Sequence, residues 1–310
     1  MKILVIGGTY FLGRTFVEQV CKNNKYKDYR LYLLNRGSRP IGIQTSEEAL
    51  LCVAGEYHMD RHDTERLSGL PEKEFDVVID FCAYSSNDIR QIIDALGGNI
   101  GQYIFISTCD VYRRGTGGVT DESGLLEDRH FDGEAGEYIA GKVSLEKELL
   151  SCCGDYGIRY TSFRPAFIYG PYNYAPREGI FFNWIVQAGQ IIFPYDAQGE
   201  FQMVYVKDLA EILLAACGEP LAYEKVYNVC GEARLNYESF AEILKKASGT
   251  DFERVKLSVE DIQKRGIALP FPLTRAETEL YSGERVKELG ISFTPIEKGM
   301  ADTFKWYINS

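Results

Sequence analysis

Five short runs of Val, Ile and Leu, with helix-periodic stretches between them, constrain this chain more than any other feature. The runs are KILVIG (Lys2 to Gly7), RLYLLN (Arg30 to Asn35), LLCVAG (Leu50 to Gly55), DVVIDF (Asp76 to Phe81) and YIFIST (Tyr103 to Thr108). Strands this uniformly apolar have no solvent face, so they belong to a parallel sheet covered on both sides. After Gly13, Phe16, Val17 and Val20 share one helical face. Ile89, Ile92, Ile93 and Leu96 do the same and end at Gly97-Gly98, a helix stop. Repeated βαβ units predict an α/β fold, a Rossmann-type doubly wound parallel sheet.

A sixth strand reads RYTSFRP (Arg159 to Pro165), and VYNVC (Val226 to Cys230) adds one more to the main sheet. From about Gly170 to Gln202 aromatics, Gly and Pro dominate without alternation, while Tyr237 to Gly249 is an amphipathic helix. The expected division is a Rossmann domain of residues 1–168 and 204–230, with 169–203 and 231–310 forming a smaller, α-rich C-terminal substrate domain.

The net charge of −11 argues against non-specific binding to nucleic acid or anionic membranes. An anionic ligand must then be held by local cations and backbone amides. Eight scattered cysteines (Cys21, Cys52, Cys82, Cys109, Cys152, Cys153, Cys217 and Cys230) form no C-x-x-C pair and read as reduced thiols. The apolar start is too short for a signal peptide, and no run approaches a membrane span, so the expected location is cytoplasmic.

GGTYFLG (Gly7 to Gly13) lies between the first strand and the first helix. In that context Gly7, Gly8 and Gly13, with Thr9, Tyr10, Phe11 and Leu12, read as a cofactor loop whose amides hold a pyrophosphate. The competing reading is a tight turn without ligand. Tyr10 occupies the middle position where glycine is expected, and is assigned to packing against the adenosine ribose. The second strand ends at Asn35 and Arg36, with Arg39 nearby, and carries no Asp or Glu for the ribose hydroxyls. The cofactor is therefore NAD or NADP, with NADP favoured because Arg36 pairs with a 2′-phosphate; otherwise Arg36 is a solvated loop charge.

Tyr138 and Lys142 are four apart in EYIAGKVSLEKE and share a helical face. A lysine ammonium and a nicotinamide cation nearby favour the phenolate of a tyrosine base. Thr108, at the end of the fifth strand, is placed to hydrogen-bond the reacting oxygen.

GGTYFLG, STCDVY, YIAGK, RPAFIYGP and VYVKDLA, in that order, together with the ending LGISFTPIEKGMADTFKWY, resemble the extended short-chain dehydrogenase/reductase superfamily. Within it the chain is similar to the NAD-dependent epimerase/dehydratase group. The resemblance implies bound NAD(P), a catalytic Thr108, Tyr138 and Lys142, and cofactor contacts that include Arg164 and Pro165. It also places Glu56 near the adenine amine, where relatives have Asp. A homodimer through the Ile89 to Leu96 helix and the Tyr138 helix is a further implication.

The departures limit the activity. Cys109-Asp110 stands where dehydratases carry Asp-Glu, which leaves Asp110 as a single acid or base, or as a strand-end carboxylate. Phe167 replaces an epimerase Asn, and GEFQM, with Phe201 and Gln202, lacks the Arg that grips a diphosphate. Arg177, Arg275 and Arg285 remain as other cations. GGTYFLG most resembles the GGTxFLG loops of an atypical branch that includes chloroplast stem-loop RNA-binding proteins.

The preferred function is an NAD(P)-dependent epimerase or oxidoreductase acting on a hydroxyl or ketone of a sugar or nucleotide-sugar-like substrate. The alternatives are a non-catalytic RNA-binding relative and a sugar-nucleotide dehydratase. The expected partner is a small molecule, with a nucleotide sugar as the candidate, and neither membrane nor nucleic acid. His58, Asp60, His62 and Asp63 of HMDRHD have metal-ligand character, but a solvated loop is preferred and no metal is expected. The acidic, Gly-rich stretch from Arg113 to Glu137 reads as a flap over the site or as a surface loop.

Overall fold

Alternation along the strands decides which helices cover which face of the sheet. In the computed structural model, which describes residues 1–37, 52–115 and 117–310, Ile3 and Val5 pack with Phe16, Val17, Leu209 and Leu213. Leu4 and Ile6 pack on the opposite side with Ile89, Ile93, Leu145 and Leu149. The first strand thus buries both faces, as its apolar composition requires.

The first half comprises β1 (Lys2–Ile6), α1 (Phe11–Lys22), β2 (Arg30–Asn35), β3 (Val53–His58), α2 (Thr64–Ser68), β4 (Phe75–Asp80), α3 (Asp88–Ala95) and β5 (Ile100–Ile106). It continues through β6 (Val119–Thr120), α4 (Glu134–Tyr156), β7 (Arg159–Pro165) and β8 (Phe167–Tyr169). Then come α5 (Glu178–Ala188), β9 (Gln190–Pro194), β10 (Met203–Tyr205), α6 (Val206–Ala216) and β11 (Lys225–Val229). The chain ends with α7 (Tyr237–Ser248), β12 (Glu253–Leu257), α8 (Val259–Lys264), β13 (Leu280–Tyr281) and α9 (Ile296–Tyr307).

Seven strands form one parallel sheet in the order β11-β7-β5-β4-β1-β2-β3. The chain winds outward in both directions from the β1/β4 junction, so the doubly wound expectation holds. Ligand crevices in such sheets open at the strand carboxyl ends where the winding reverses. Here that point lies between Gly7, after β1, and Cys82, after β4: a Cβ on Gly7 would lie 3.2 Å from Cys82 Sγ.

Two expectations need correction, and two further segments gain definition. The third strand runs Val53–His58, not Leu50 to Gly55, and Leu50 lies outside the described residues. Its pairing with β2, Leu31 opposite Val53 and Asn35 opposite His58, sets that register. Cys21 and Cys52 are not free thiols: they form a disulfide, Cα atoms 5.7 Å apart, joining the end of α1 to the start of β3. The other six cysteines are free. The stretch from Gly170 to Gln202 contains α5 and β9, and α5 (EGIFFNWIVQA) is apolar apart from Glu178, Asn183 and Gln187. The Arg113 to Glu137 segment is anchored rather than free-standing. β6 pairs with β13, Gly115 N donates to Glu279 at 2.9 Å, and Asn228 N donates to Glu122 at 2.9 Å.

Candidate active site

A cleft of about 960 Å³ opens at the carboxyl ends of the central strands. It is lined by Gly7, Thr9, Tyr10, Phe11, Leu12 and Gly13 on one side and by Thr108, Asp110, Tyr138 and Lys142 on the other. The structure therefore brings most of the sequence-predicted residues together around one space.

The glycine turn is built for close backbone approach. Gly7 takes φ +88°, and a Cβ on Gly13 would lie 2.2 Å from the Gly7 carbonyl oxygen. Gly8 does not line the cleft; it packs against Val5, Val17 and Leu33 beneath the turn. No side chain caps the start of α1 and no acid lies in its first turn, so its N-terminal amides and dipole face the cleft without a competing carboxylate. Tyr10 stacks on Tyr174 with ring centroids 4.6 Å apart, joining the turn to the segment after β8.

At the end of β2, Asn35 is buried and its Oδ1 has no hydrogen-bond partner. An orphaned buried acceptor in a cleft wall is a group waiting for a donor. Arg36 follows, exposed and lining the same space; Arg39 lies outside the described residues. An uncapped helix start, a glycine turn admitting backbone to within contact, and an unsatisfied acceptor at the second strand end fit a dinucleotide.

Glu56 is not part of this wall. It sits within β3, pairs with His58 at 3.0 Å, and does not reach the cleft. The carboxylate that lines the cleft beyond β3 is Asp60, together with Arg61 and His62. The three-residue error in the strand's start hid them: with β3 ending at His58, Asp60 rather than Glu56 follows the strand end.

HMDRHD is not simply a solvated loop. Arg61 is buried and forks onto Asp80 at 3.0 and 2.8 Å, donates to the Asp88 carbonyl at 2.6 Å, and shares Asp80 with the Tyr103 hydroxyl. Its guanidinium holds the fully buried Asp80 carboxyl below the usual range against the opposing effect of burial. His62 bridges Asp60 and Asp88 at 2.8 and 2.9 Å. Among the described residues no His, Cys, Asp and Glu cluster is arranged to hold a metal.

On the opposite wall, α4 carries Tyr138 and Lys142 one turn apart, the spacing that its i, i+4 pattern predicts. Tyr138 is 38% exposed because its ring faces the cleft, where Thr108 also lies. Burial, with Asp110 adding to it, pushes the phenol up to about 12, while the Thr108 hydroxyl works the other way. Thr108 Oγ1 donates to Asp110 at 3.2 Å. Lys142 is 3% exposed, and burial lowers its ammonium to about 8. It donates to the Ala83 and Ile106 carbonyls at 2.9 and 2.7 Å, under the rings of Tyr84 and Phe105.

Pro165 lines the cleft; Arg164 does not. Arg164 is buried in a fork with Glu146 and donates to the Tyr112 hydroxyl at 2.7 Å, tying β7 to α4. Its place in RPAFIYGP suggested a ligand contact, but alternate strand residues face opposite sides of a sheet. Of the other cations, Arg177 lines the cleft, whereas Arg275 and Arg285 do not. The Cys109 thiol bonds the Arg164 carbonyl at 3.0 Å and is 2% exposed.

The profile of the NAD dependent epimerase/dehydratase family matches residues 3–230. Among curated proteins, the chain is 30% identical over 259 residues to the chloroplast stem-loop binding protein of 41 kDa b from Arabidopsis thaliana. That match covers 80% of this chain but spans only 63% of the plant protein's length. It is 22% identical over 339 residues to the dTDP-glucose 4,6-dehydratase of Streptomyces niveus, covering 99% of this chain and 93% of that protein. Among solved structures, UDP-glucose 4-epimerase from Thermotoga maritima superposes with a TM-score of 0.76 at 20% identity, covering 100% of this chain and 99% of its own. UDP-glucuronic acid 4-epimerase from Bacillus cereus, solved with UDP-glucuronic acid and NAD, gives 0.74 at 18% identity with the same coverage. These structural likenesses show a shared fold. With a profile match spanning the whole seven-stranded sheet, the conclusion is direct: the chain belongs to the NAD dependent epimerase/dehydratase family.

Proposed function

We propose that the protein is an NAD(P)-dependent epimerase or oxidoreductase working on a secondary hydroxyl or ketone, with Tyr138 as the proton-transferring group. The observation that carries this reading is that Thr108, Tyr138 and Lys142 line the same cleft as the glycine turn, with the Thr108 hydroxyl held by Asp110 at 3.2 Å. NAD(P), when bound, supplies the acceptor and donor of hydride. Gly7 to Gly13 hold its pyrophosphate, Asn35 and Arg36 its adenosine end, and Asp60 the rim beyond β3. Arg36 supports a preference for NADP. Residues 1–168 and 204–230 serve as the cofactor half, and 169–203 with 231–310 as the substrate half.

As the phenolate, Tyr138 takes the proton of the substrate hydroxyl, with Thr108 beside the reacting oxygen and Asp110 fixing the Thr108 hydroxyl. Lys142 holds the strand ends that frame the site. Cys109 cannot act as a dehydratase acid, because burial raises its thiol well above the usual range and its proton is engaged by the Arg164 carbonyl.

Turnover of a panel of sugars and their keto forms, read as nicotinamide absorbance, tests this. Tyr138→Phe is expected to lower the rate by roughly 10²–10⁴ and leave cofactor affinity unchanged. Equal rates in the two proteins overturn the assignment. A second reading, nucleic-acid binding, is carried by the identity to the stem-loop binding protein and opposed by the net charge of −11. Filter binding to a stem-loop RNA at low salt, where electrostatic affinity is greatest, decides it.

A further inference from the structure

Resting on the reading above, we infer that the substrate is an uncharged hydroxy compound of sugar size bearing an apolar or aromatic substituent, and not a nucleoside diphosphate sugar. Beyond Thr108 and Tyr138 the cleft is walled by Phe167, Leu269, Pro270, Phe271 and Tyr281. All but Phe271 are partly exposed there, and Phe271 backs the wall by stacking on Phe201 at 4.0 Å.

A diphosphate carries about two negative charges and needs cations or uncommitted amides. Among the described residues lining this end, the cations are Arg114 and Arg177, set against the carboxylates of Asp110, Glu277 and Glu279. Arg114 is paired with Asp110 at 3.0 Å. Arg177 donates to the Ile168 carbonyl at 2.9 Å with its guanidinium over the Phe167 ring.

Gln202, in the GEFQM stretch that lacks the arginine, is also committed. Its amide nitrogen donates to the Gly231 and Tyr281 carbonyls at 3.2 Å each, and its oxygen accepts from Tyr281 N at 2.8 Å. At the start of α5 an acid already occupies the first turn. The buried carboxylate of Glu178 already accepts from Gly170 N at 3.1 Å and from the Asn173 amide at 3.0 Å.

Size agrees with charge. The whole cleft of about 960 Å³ lies at the upper end of what one drug-sized ligand fills, roughly 300–1,000 Å³. With a dinucleotide in place, the remainder admits a sugar-sized molecule. Such a molecule would lay its apolar face on the aromatic wall and its hydroxyls toward Thr108 and Asp110.

The test is calorimetric titration of the full chain carrying Tyr138→Phe, saturated with NAD⁺ or NADP⁺. The probes are UDP and matched phenyl and methyl glycosides of glucose, galactose, mannose and xylose. Because binding is read without turnover, a failure of the catalytic assignment leaves this result standing, and the reverse also holds. At least one phenyl glycoside is expected to bind about tenfold more tightly than its methyl partner, through ring packing on the wall, with no saturable heat from UDP. Adding Phe167→Ala, or Leu269→Ala at a more peripheral position, should erase the phenyl advantage, with a smaller loss for the methyl glycoside. Tighter binding of UDP than of every phenyl glycoside overturns the inference, and so does equal affinity of phenyl and methyl forms throughout.

Discussion

Lys142 Nζ lies 5.8 Å from the centre of the Tyr138 ring and gives its hydrogen bonds to two backbone carbonyls rather than to the phenol. The ammonium thus ties the segment after β4 to the end of β5, directly beneath the tyrosine. Its influence on Tyr138 in the ligand-free protein is positional, and the phenol stays high.

Tyr138 should therefore be fully protonated at neutral pH in ligand-free protein, since burial pushes it up to about 12. The difference in tyrosinate absorbance between wild type and Tyr138→Phe is expected to stay flat up to about pH 10 without cofactor. Adding NAD⁺ places a cation near the phenol and should move the onset to lower pH. An onset unchanged by saturating NAD⁺ would show that the phenol does not face the nicotinamide.

Lys142 leaves a signature in stability. Its ammonium loses its proton near pH 8 when folded and at 10.5 when unfolded. Between those values the unfolded chain binds more protons, so this group's contribution to stability rises with pH and is complete above 10.5. Urea midpoints of wild type should gain on those of Lys142→Met across that window. Parallel curves would show that the amine is not held in a depressed state.

Gly13→Ala tests the turn. Its Cβ would meet the Gly7 carbonyl at 2.2 Å, so backbone must move. A destabilisation of about 1–3 kcal/mol is expected from overpacking, together with at least tenfold weaker dinucleotide binding by fluorescence titration. Unchanged affinity in a destabilised protein would make the turn structural only.

The proposed preference for NADP rests on Arg36. Loss of a charge-assisted hydrogen bond, about 1.5–3 kcal/mol, predicts roughly 10- to 100-fold weaker NADPH binding in Arg36→Ala, with NADH little changed. Equal losses for both cofactors, or none, would remove Arg36 from 2′-phosphate recognition.

Asp80→Asn leaves the Arg61 guanidinium in the interior with its main partner neutralised. Breaking a buried pair on one side costs about 3–5 kcal/mol, to be read as a lowered denaturation midpoint. Asp80→Asn combined with Arg61→Met should recover part of the loss.

The sequence by itself determined the doubly wound sheet, because uniformly apolar strands at βαβ spacing have one stable arrangement. It also placed Gly7, Thr108, Tyr138 and Lys142 relative to their elements, since each sits just past a strand or on one helix face, whereas α1 begins at Phe11, inside the stretch read as loop. Only the tertiary structure decided what depends on register and side-chain direction. Asp60 lines the cleft and Glu56 does not, because pairing of Asn35 with His58 fixes where β3 stops. Arg164 serves the core and Pro165 the cleft, because neighbouring strand residues point to opposite faces. The Cys21–Cys52 bond and the commitment of Gln202 are contacts between residues 31 and 79 positions apart or between separate loops. Local pattern carries no information about such distances, and the fold supplies it.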